Sequence, residues 1–353
     1  MKYFDKYVSN TLAGSANQSW FDSENEIVTG RVFYKLFKGG KYKYSLLFSN
    51  IIDSTFSDGT HSHKNLVCDE WEIVSASVCV TKKVCCDQCG EFKNLLFGGE
   101  KSKTVMPGEF FATDPIEIAA GKGDYLCIEM TVKGKKMPYH HEIIIPVFRK
   151  TGSGWEENVQ LPVPSMIGIE DAPKLKIGFL GDSITQGIGT EVNSYAHWNS
   201  RLADMMGDEY SYWNLGIGFG RGDDAATDGA WLFKAKQMDV VVVCFGVNDI
   251  IRGFDEAKLK ENLQNIVDKL RDAGCKVLVQ TVPPFDFCEE RESLRRKINS
   301  YILTDLDADG VFDNEPILSD GGRSLYGGHP DAQGCEKWAE GLAPVIKEFI
   351  SGK

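Results

Sequence analysis

KIGFLGDSITQG (Lys176–Gly187) decides the fold of half the chain. Lys176–Leu180 is a short apolar run of the kind that forms a buried strand, and it stops at Gly181-Asp182-Ser183, where a strand-to-helix turn is expected. Downstream the same alternation recurs. Tyr212–Ile217, the continuous apolar run Val240–Phe245, Lys276–Val282 and the brief Gly310–Phe312 read as strands. Between and after them, Ser194–Met206, Asp223–Ala235, Asp255–Ala273, Glu289–Tyr301 and Asp331–Ile350 read as helices. The clearest is Asp255–Ala273, with Leu259, Leu263, Ile266, Val267 and Leu270 on one stripe. Strands alternating with helices predict a parallel sheet covered on both faces, with its chemistry beyond the carboxyl ends of the strands.

Upstream the period changes. From about Gly30 to Pro164, segments such as Val67–Val80, Asp124–Val132 and His141–Arg149 alternate apolar and polar residues or form short apolar runs, bounded by Gly, Asp and Lys. No segment there carries a helical stripe, so a β-sandwich of jelly-roll character is expected. The stretch Val163–Lys174 reads as a linker. Two domains follow, 1–165 and 166–353, which suits a chain of 353 residues.

With 42% hydrophobic and 25% charged residues, each half can bury a core. A formal net charge of -12 sets nucleic acid and anionic membrane aside as main partners, since both would be repelled. The first twenty residues are polar, unlike a secretory signal, and no apolar run is long enough to span a bilayer. A cytoplasmic protein is the expectation, an exported form with its leader removed being the other reading. Nothing in the sequence specifies an oligomer. The 10 cysteines are expected to be free and mostly buried, with Cys85, Cys86 and Cys89 clustered as CCDQC.

Three short sequences fall at the strand ends where chemistry is expected. Ser183 follows the first strand; a serine hydroxyl becomes a nucleophile when it is exposed at such a turn and a base can take its proton. Asn248, in FGVNDI, follows the most buried strand, from which a side-chain N–H can reach the same cleft and stabilise an oxyanion. His329, in GGHPDAQG, precedes the final helix, whose start can aim the imidazole back at the first strand. Each has an ordinary reading alone: a loop serine, a helix-capping asparagine, a turn histidine. In this order, each beside the expected element, they read together as a catalytic set.

The C-terminal half resembles the SGNH (GDSL) hydrolases over nearly its whole length. GDSIT looks like the family's first block, GVND its third, and HPDAQG the end of its fifth. The resemblance implies a flavodoxin-like three-layer α/β sandwich, Ser183 as nucleophile, and His329 as base. It also implies an oxyanion hole of the Ser183 N–H, a glycine N–H and the Asn248 side chain. The β-rich half, with Ser49-Asn50, Phe97–Gly99 and ATDPIEI (Ala112–Ile118), is more loosely similar to the sandwich that precedes this domain in some members.

Two departures stand out. In NLGIGFGRG, the position five residues after Asn214, where the family places its oxyanion glycine, is Phe219; Gly218 and Gly220 flank it and both remain candidates. Three residues before His329 the family carries an aspartate, and here stands Tyr326. Asp313, Glu315 or Asp320 could substitute, a backbone carbonyl could leave a Ser-His dyad, or the site could be weak; a dyad or a substitute acid is the favoured reading. Asp182 and Asp249 are expected to tie down loops through backbone N–H groups.

A zinc reading of His61, His63, Cys68, Cys86, Cys89, His140 and His141 is set aside, because only one CxxC pair exists and the histidines are scattered; no metal and no cofactor are expected. His197 is read as helix surface or pocket wall, and Trp198, Trp213 and Trp231 as core. The expected activity is hydrolysis of short esters, acetyl above all, of a carbohydrate or other small polar alcohol. The alternatives are a weak or inactive hydrolase that binds glycan, and an acyltransferase using the same site.

Overall fold

The computed structural model describes residues 2–23, 26–54, 64–318 and 328–352. Two compact units meet in sequence between Ala172 and Pro173.

The first unit is built of antiparallel strands in two main sheets, one of five strands and one of seven, as expected of a β-sandwich. In the seven-stranded sheet Tyr125–Gly134 lies centrally, pairing with Val28–Lys35 on one side and Trp71–Thr81 on the other. Val32, Phe33, Tyr34, Leu126, Ile128 and Met130 on these strands are fully buried. Three sequence expectations are corrected here. Val67–Val80 is two strands, Lys64–Val67 pairing with Ile51–Ser54 and Trp71–Thr81 pairing elsewhere. In His141–Arg149 only the end is strand, Val147–Thr151, because Pro146 withholds an N–H from any ladder. The supposed linker contains Met166–Glu170, which pairs with Tyr7–Ser9 and Gly40–Ser49. The boundary at 165/166 thus falls ahead of a strand belonging to the first unit.

The motifs quoted for this unit hold it together internally. Asn50 donates to the carbonyls of Asp69 (2.8 Å) and Met106 (2.9 Å) and accepts from the Trp71 indole (2.8 Å). Asp114 accepts from the N–H groups of Gly98 (2.9 Å) and Gly99 (2.7 Å). Cys79 and Cys127 are register partners on neighbouring strands, and their sulfurs lie with that of Cys89 within 4.8 Å of one another. His140 and Cys68 are buried elsewhere, His141 Nδ1 meets the Tyr139 hydroxyl at 3.2 Å, and His61 and His63 lie outside the described residues.

The second unit is the expected parallel sheet. Its strands are β1 (Lys176–Gly181), β2 (Ser211–Gly216), β3 (Val240–Cys244), β4 (Lys276–Gln280) and β5 (Gly310–Phe312). They lie in the order β2-β1-β3-β4-β5, all parallel. Every residue of β3 is buried, as a strand covered on both faces requires. The order reverses at β1, so a crevice opens beyond the carboxyl ends of β1 and its neighbours β2 and β3. Two helices begin or divide differently from the expectation. Ser194–Met206 becomes helical at Trp198, since Tyr195 holds φ +54°, and Asp223–Ala235 is two helices, Gly222–Ala226 and Ala230–Ala235. The closing helix runs Ala332–Ser351.

Candidate active site

Ser183 is the first residue of a short helix, Ser183–Gln186, entered directly from β1. Asp182 caps it, its carboxylate accepting from the Ile184 N–H at 3.0 Å, and Gly187 ends it at φ +115°. The turn has no spare room. A Cβ on Gly181 would sit 2.1 Å from Thr185 Oγ1 and 2.6 Å from the Cys244 carbonyl oxygen; one on Gly216, at the end of β2, would sit 2.1 Å from the Gln186 nitrogen.

A buried polar network supports that turn from behind. Asn214 Nδ2 donates to the Gln186 carbonyl (3.2 Å), and Asn199 Nδ2 to that of Thr185 (2.5 Å). His197 Nδ1 meets Asn199 Oδ1 at 2.8 Å. His197 is buried rather than on a surface or pocket wall, and burial pulls its pKa down from 6.5 to about 4, so the ring is neutral. Trp198, Trp213 and Trp231 are core, as expected. Trp198 stacks on Trp338 with centroids 5.1 Å apart, which fixes the closing helix against the helix Trp198–Met206.

That closing helix delivers the histidine. Asp331 caps it by accepting from the Gly334 N–H at 2.8 Å, and Trp338 Nε1 donates to Gln280 Oε1 of β4 at 2.7 Å. Gly328 holds φ +84° where an added Cβ would lie 2.9 Å from the Asp286 nitrogen and 3.1 Å from Phe285 Cα. The Phe285 ring stands edge-on to His329 at 5.3 Å. His329 Nε2 then lies 2.8 Å from Ser183 Oγ, a hydrogen bond between the two half-buried residues.

Asn248 lies in the helix Val247–Ile251 after β3, entered through Gly246 at φ +126°. Its Nδ2 donates to the Gly220 carbonyl at 3.0 Å, which uses one of the two N–H groups of the amide. Asp249 accepts from the N–H groups of Gly222 (2.9 Å) and Asp223 (3.2 Å). Both aspartates therefore tie backbone, as expected. Burial raises the pKa of Asp182 to about 7 and that of Asp249 to about 6.

The Gly220 N–H donates to the Ile217 carbonyl at 3.1 Å and closes the turn. Its lack of a side chain serves packing, since a Cβ would lie 2.6 Å from the Trp231 ring. Phe219, in the position of the family's glycine, adopts φ +59°. That left-handed conformation favours glycine, and only the structure discloses it. The candidate acids Asp313 and Glu315 each have partners of their own. Asp313 accepts from Thr281 Oγ1 and the Glu315 N–H, each at 3.1 Å, and the Glu315 carboxylate binds Arg295 at 3.0 and 3.2 Å. Asp320 and Tyr326 lie outside the described residues.

Residues 179–337 match the model of the GDSL-like lipase/acylhydrolase family. This unit belongs to that family. It is a carboxylic ester hydrolase domain of the SGNH type. No curated protein matches the sequence. Among solved structures, the chain is similar to a family two carbohydrate esterase from Clostridium thermocellum in complex with cellohexaose, at 15% identity over 98% of this chain and 99% of that one, TM-score 0.44. It is also similar to a family two carbohydrate esterase from Cellvibrio japonicus, at 12% identity over 98% and 97%, TM-score 0.42. The psychrotrophic esterase EstA from Pseudoalteromonas sp. is similar at 20% identity over 50% of this chain and 98% of that one, TM-score 0.43. These are likenesses of outline alone. Among the described residues no helix is long and apolar enough to cross a membrane.

Proposed function

We propose that the protein removes a short acyl group, acetyl above all, from a hydroxyl of a sugar or another small polar alcohol, with Ser183 as nucleophile and His329 as general base. The observation that carries the reading is the 2.8 Å contact between Ser183 Oγ and His329 Nε2 at the crevice of a GDSL-like domain. His329 takes the hydroxyl proton as Ser183 Oγ attacks the ester carbonyl, and the tetrahedral oxyanion forms. The donors proposed for it are the Ser183 N–H, a backbone N–H of the Gly218–Phe219 turn, and the remaining Asn248 amide N–H. His329 then passes the proton to the departing alkoxide. The same ring deprotonates a water that attacks the acyl-enzyme, and Ser183 recovers its proton as the acid leaves. The preference for a sugar alcohol rests on the resemblance of the β-rich half to the sandwich preceding this domain in some family members.

Hydrolysis of p-nitrophenyl acetate tests the reaction, and a p-nitrophenyl ester series from acetate to decanoate tests the acyl length. The expected result is hydrolysis that falls steeply beyond short chains and disappears in Ser183→Ala. Full activity in Ser183→Ala would remove the nucleophile, and a preference for decanoate would remove the short-acyl reading. Acetate release from an acetylated oligosaccharide, against an acetylated simple alcohol, tests the sugar.

A further inference from the structure

We propose that Cys79, Cys89 and Cys127 of the first unit, with Cys86 as fourth ligand, form a structural site for a zinc ion. The site is remote in sequence and in chemistry from Ser183, and the proposed esterase reaction makes no use of it.

Cys127 and Cys79 face each other across two neighbouring strands, Tyr125–Gly134 and Trp71–Thr81. They are anchored in the sheet and almost wholly buried. Beyond the second strand, residues Cys86–Gln88 form one turn of 3-10 helix, and that turn brings Cys89 back over the pair. The three sulfurs lie within 4.8 Å of one another, and Cys89 Sγ is 3.8 Å from Cys127 Sγ. A disulfide needs about 2.05 Å. A tetrahedral zinc with bonds of about 2.3 Å has sulfur–sulfur edges of about 3.8 Å. The spacing therefore fits ligands around one ion. Cys86 packs against the Phe33, Cys79 and Cys127 cluster. It stands three residues before Cys89, the spacing at which a tight turn offers both thiolates of a CxxC pair to one metal. The ligand set is then one CxxC pair from a loop and one cross-strand pair from a sheet.

The surroundings suit thiolates. Arg31 directs a guanidinium N–H to Cys89 Sγ at 3.5 Å and another hydrogen bond to the Cys86 carbonyl. It is held by Glu129, whose carboxylate accepts from Arg31 Nε at 2.7 Å, and lies over the rings of Phe92 (4.7 Å) and Trp155 (4.3 Å). A fixed cation offsets part of the negative charge of a thiolate cluster, and Arg31 also joins the loop to the sheet at that point. Phe33, Tyr125 and Phe148 flank the sulfurs with apolar surface. Soft sulfur ligands select zinc over magnesium or calcium. On binding, the thiol protons leave to solvent, and the loop around Cys86 and Cys89 becomes tied to two strands of the sheet.

The test uses the full chain, purified without chelator and under reducing conditions, with metal measured by inductively coupled plasma mass spectrometry. The expected content is about one zinc per chain. Replacing zinc with cobalt should give the intense visible absorption of tetrahedral cobalt with a near-ultraviolet sulfur-to-metal charge-transfer band. Cys89→Ser should lose most of the zinc, while Cys275→Ser, distant in sequence and in the other unit, should keep it. Cys127→Ser could fail to fold, but the cobalt spectrum of the unaltered chain needs no variant. A chain that takes up neither zinc nor cobalt, or that carries a disulfide among these cysteines as its reduced-buffer ground state, overturns the site. A cobalt spectrum unchanged in Cys86→Ser overturns the fourth ligand. Esterase activity enters none of these readouts, so they stand or fall separately from the proposed reaction.

Discussion

Ser183 Oγ and His329 Nε2 lie 2.8 Å apart although 146 residues separate them in the chain. One is fixed by the end of β1 and the other by the start of the closing helix, so the contact depends on how that helix is docked. Its docking is set by two indoles: Trp338 donates to Gln280 and Trp198 stacks on Trp338.

Ser183→Ala removes the nucleophile and leaves the cap at Asp182 in place. The expected loss in kcat is at least about 10⁴-fold with little change in Tm. Labelling by a serine-directed fluorophosphonate should vanish with it. A variant that still labels on the same scale would move the nucleophile elsewhere.

Asn248→Ala removes a proposed oxyanion donor and the tie to the Gly220 carbonyl. Loss of one such donor lowers kcat by about 10²–10³-fold. Steady-state kinetics should show the loss in kcat with KM changed far less; a change confined to KM would assign Asn248 to substrate binding.

Asp313→Asn keeps an oxygen for Thr281 and removes the charge. Because Asp313 is hydrogen-bonded to Thr281 and the Glu315 N–H, kcat/KM should stay within about threefold of the starting chain. A drop of about 10³-fold or more would assign Asp313 as the acid behind His329.

Gly216→Ala would place a Cβ 2.1 Å from the Gln186 nitrogen, against backbone that cannot swing aside. Overpacking of this kind costs about 1–3 kcal/mol. The displaced segment is the nucleophile's own helix, so activity should fall even where the chain still folds, as thermal denaturation and p-nitrophenyl acetate turnover measured together would show. Unchanged turnover would mean that the turn tolerates the shift.

Asp182 is lifted by burial, and secondarily by the charge of Asp249, from 3.8 to about 7. Between those values the folded chain holds a proton that the unfolded chain has released, so this group's contribution to stability falls as pH rises through the window. Asp182→Asn keeps a capping oxygen and stops the titration. Its Tm should therefore depend less steeply on pH from about 4 to about 7, and should gain on the unaltered chain toward the upper end. Parallel Tm–pH curves for the two proteins would contradict the buried, protonated Asp182.

Local sequence reached far in the second unit. The apolar run of β3, the stripe of the helix Glu256–Asp272 and the turn residues at Gly181-Asp182-Ser183 are each written within a few residues of themselves, so strand, helix and strand end could be read directly. Reading failed where a local pattern had two solutions. Val163–Lys174 looks like a linker because its apolar run is brief, yet Met166–Glu170 gains strand status by pairing with Tyr7–Ser9 and Gly40–Ser49, both distant in the chain.

The sequence by itself determined the alternation of strands and helices, the parallel sheet and the placing of Ser183, Asn248 and His329 at element ends. Periodicity and capping are short-range effects, and they act on each segment alone. Only the tertiary structure decided which partners those residues keep. It committed Glu315 to Arg295, turned the Gly220 N–H onto Ile217, buried His197 beside Asn199 and gathered Cys79, Cys89 and Cys127. Each of those outcomes depends on the distance and angle at which remote segments meet. That geometry is set by packing over the whole unit, and no spacing within one segment encodes it.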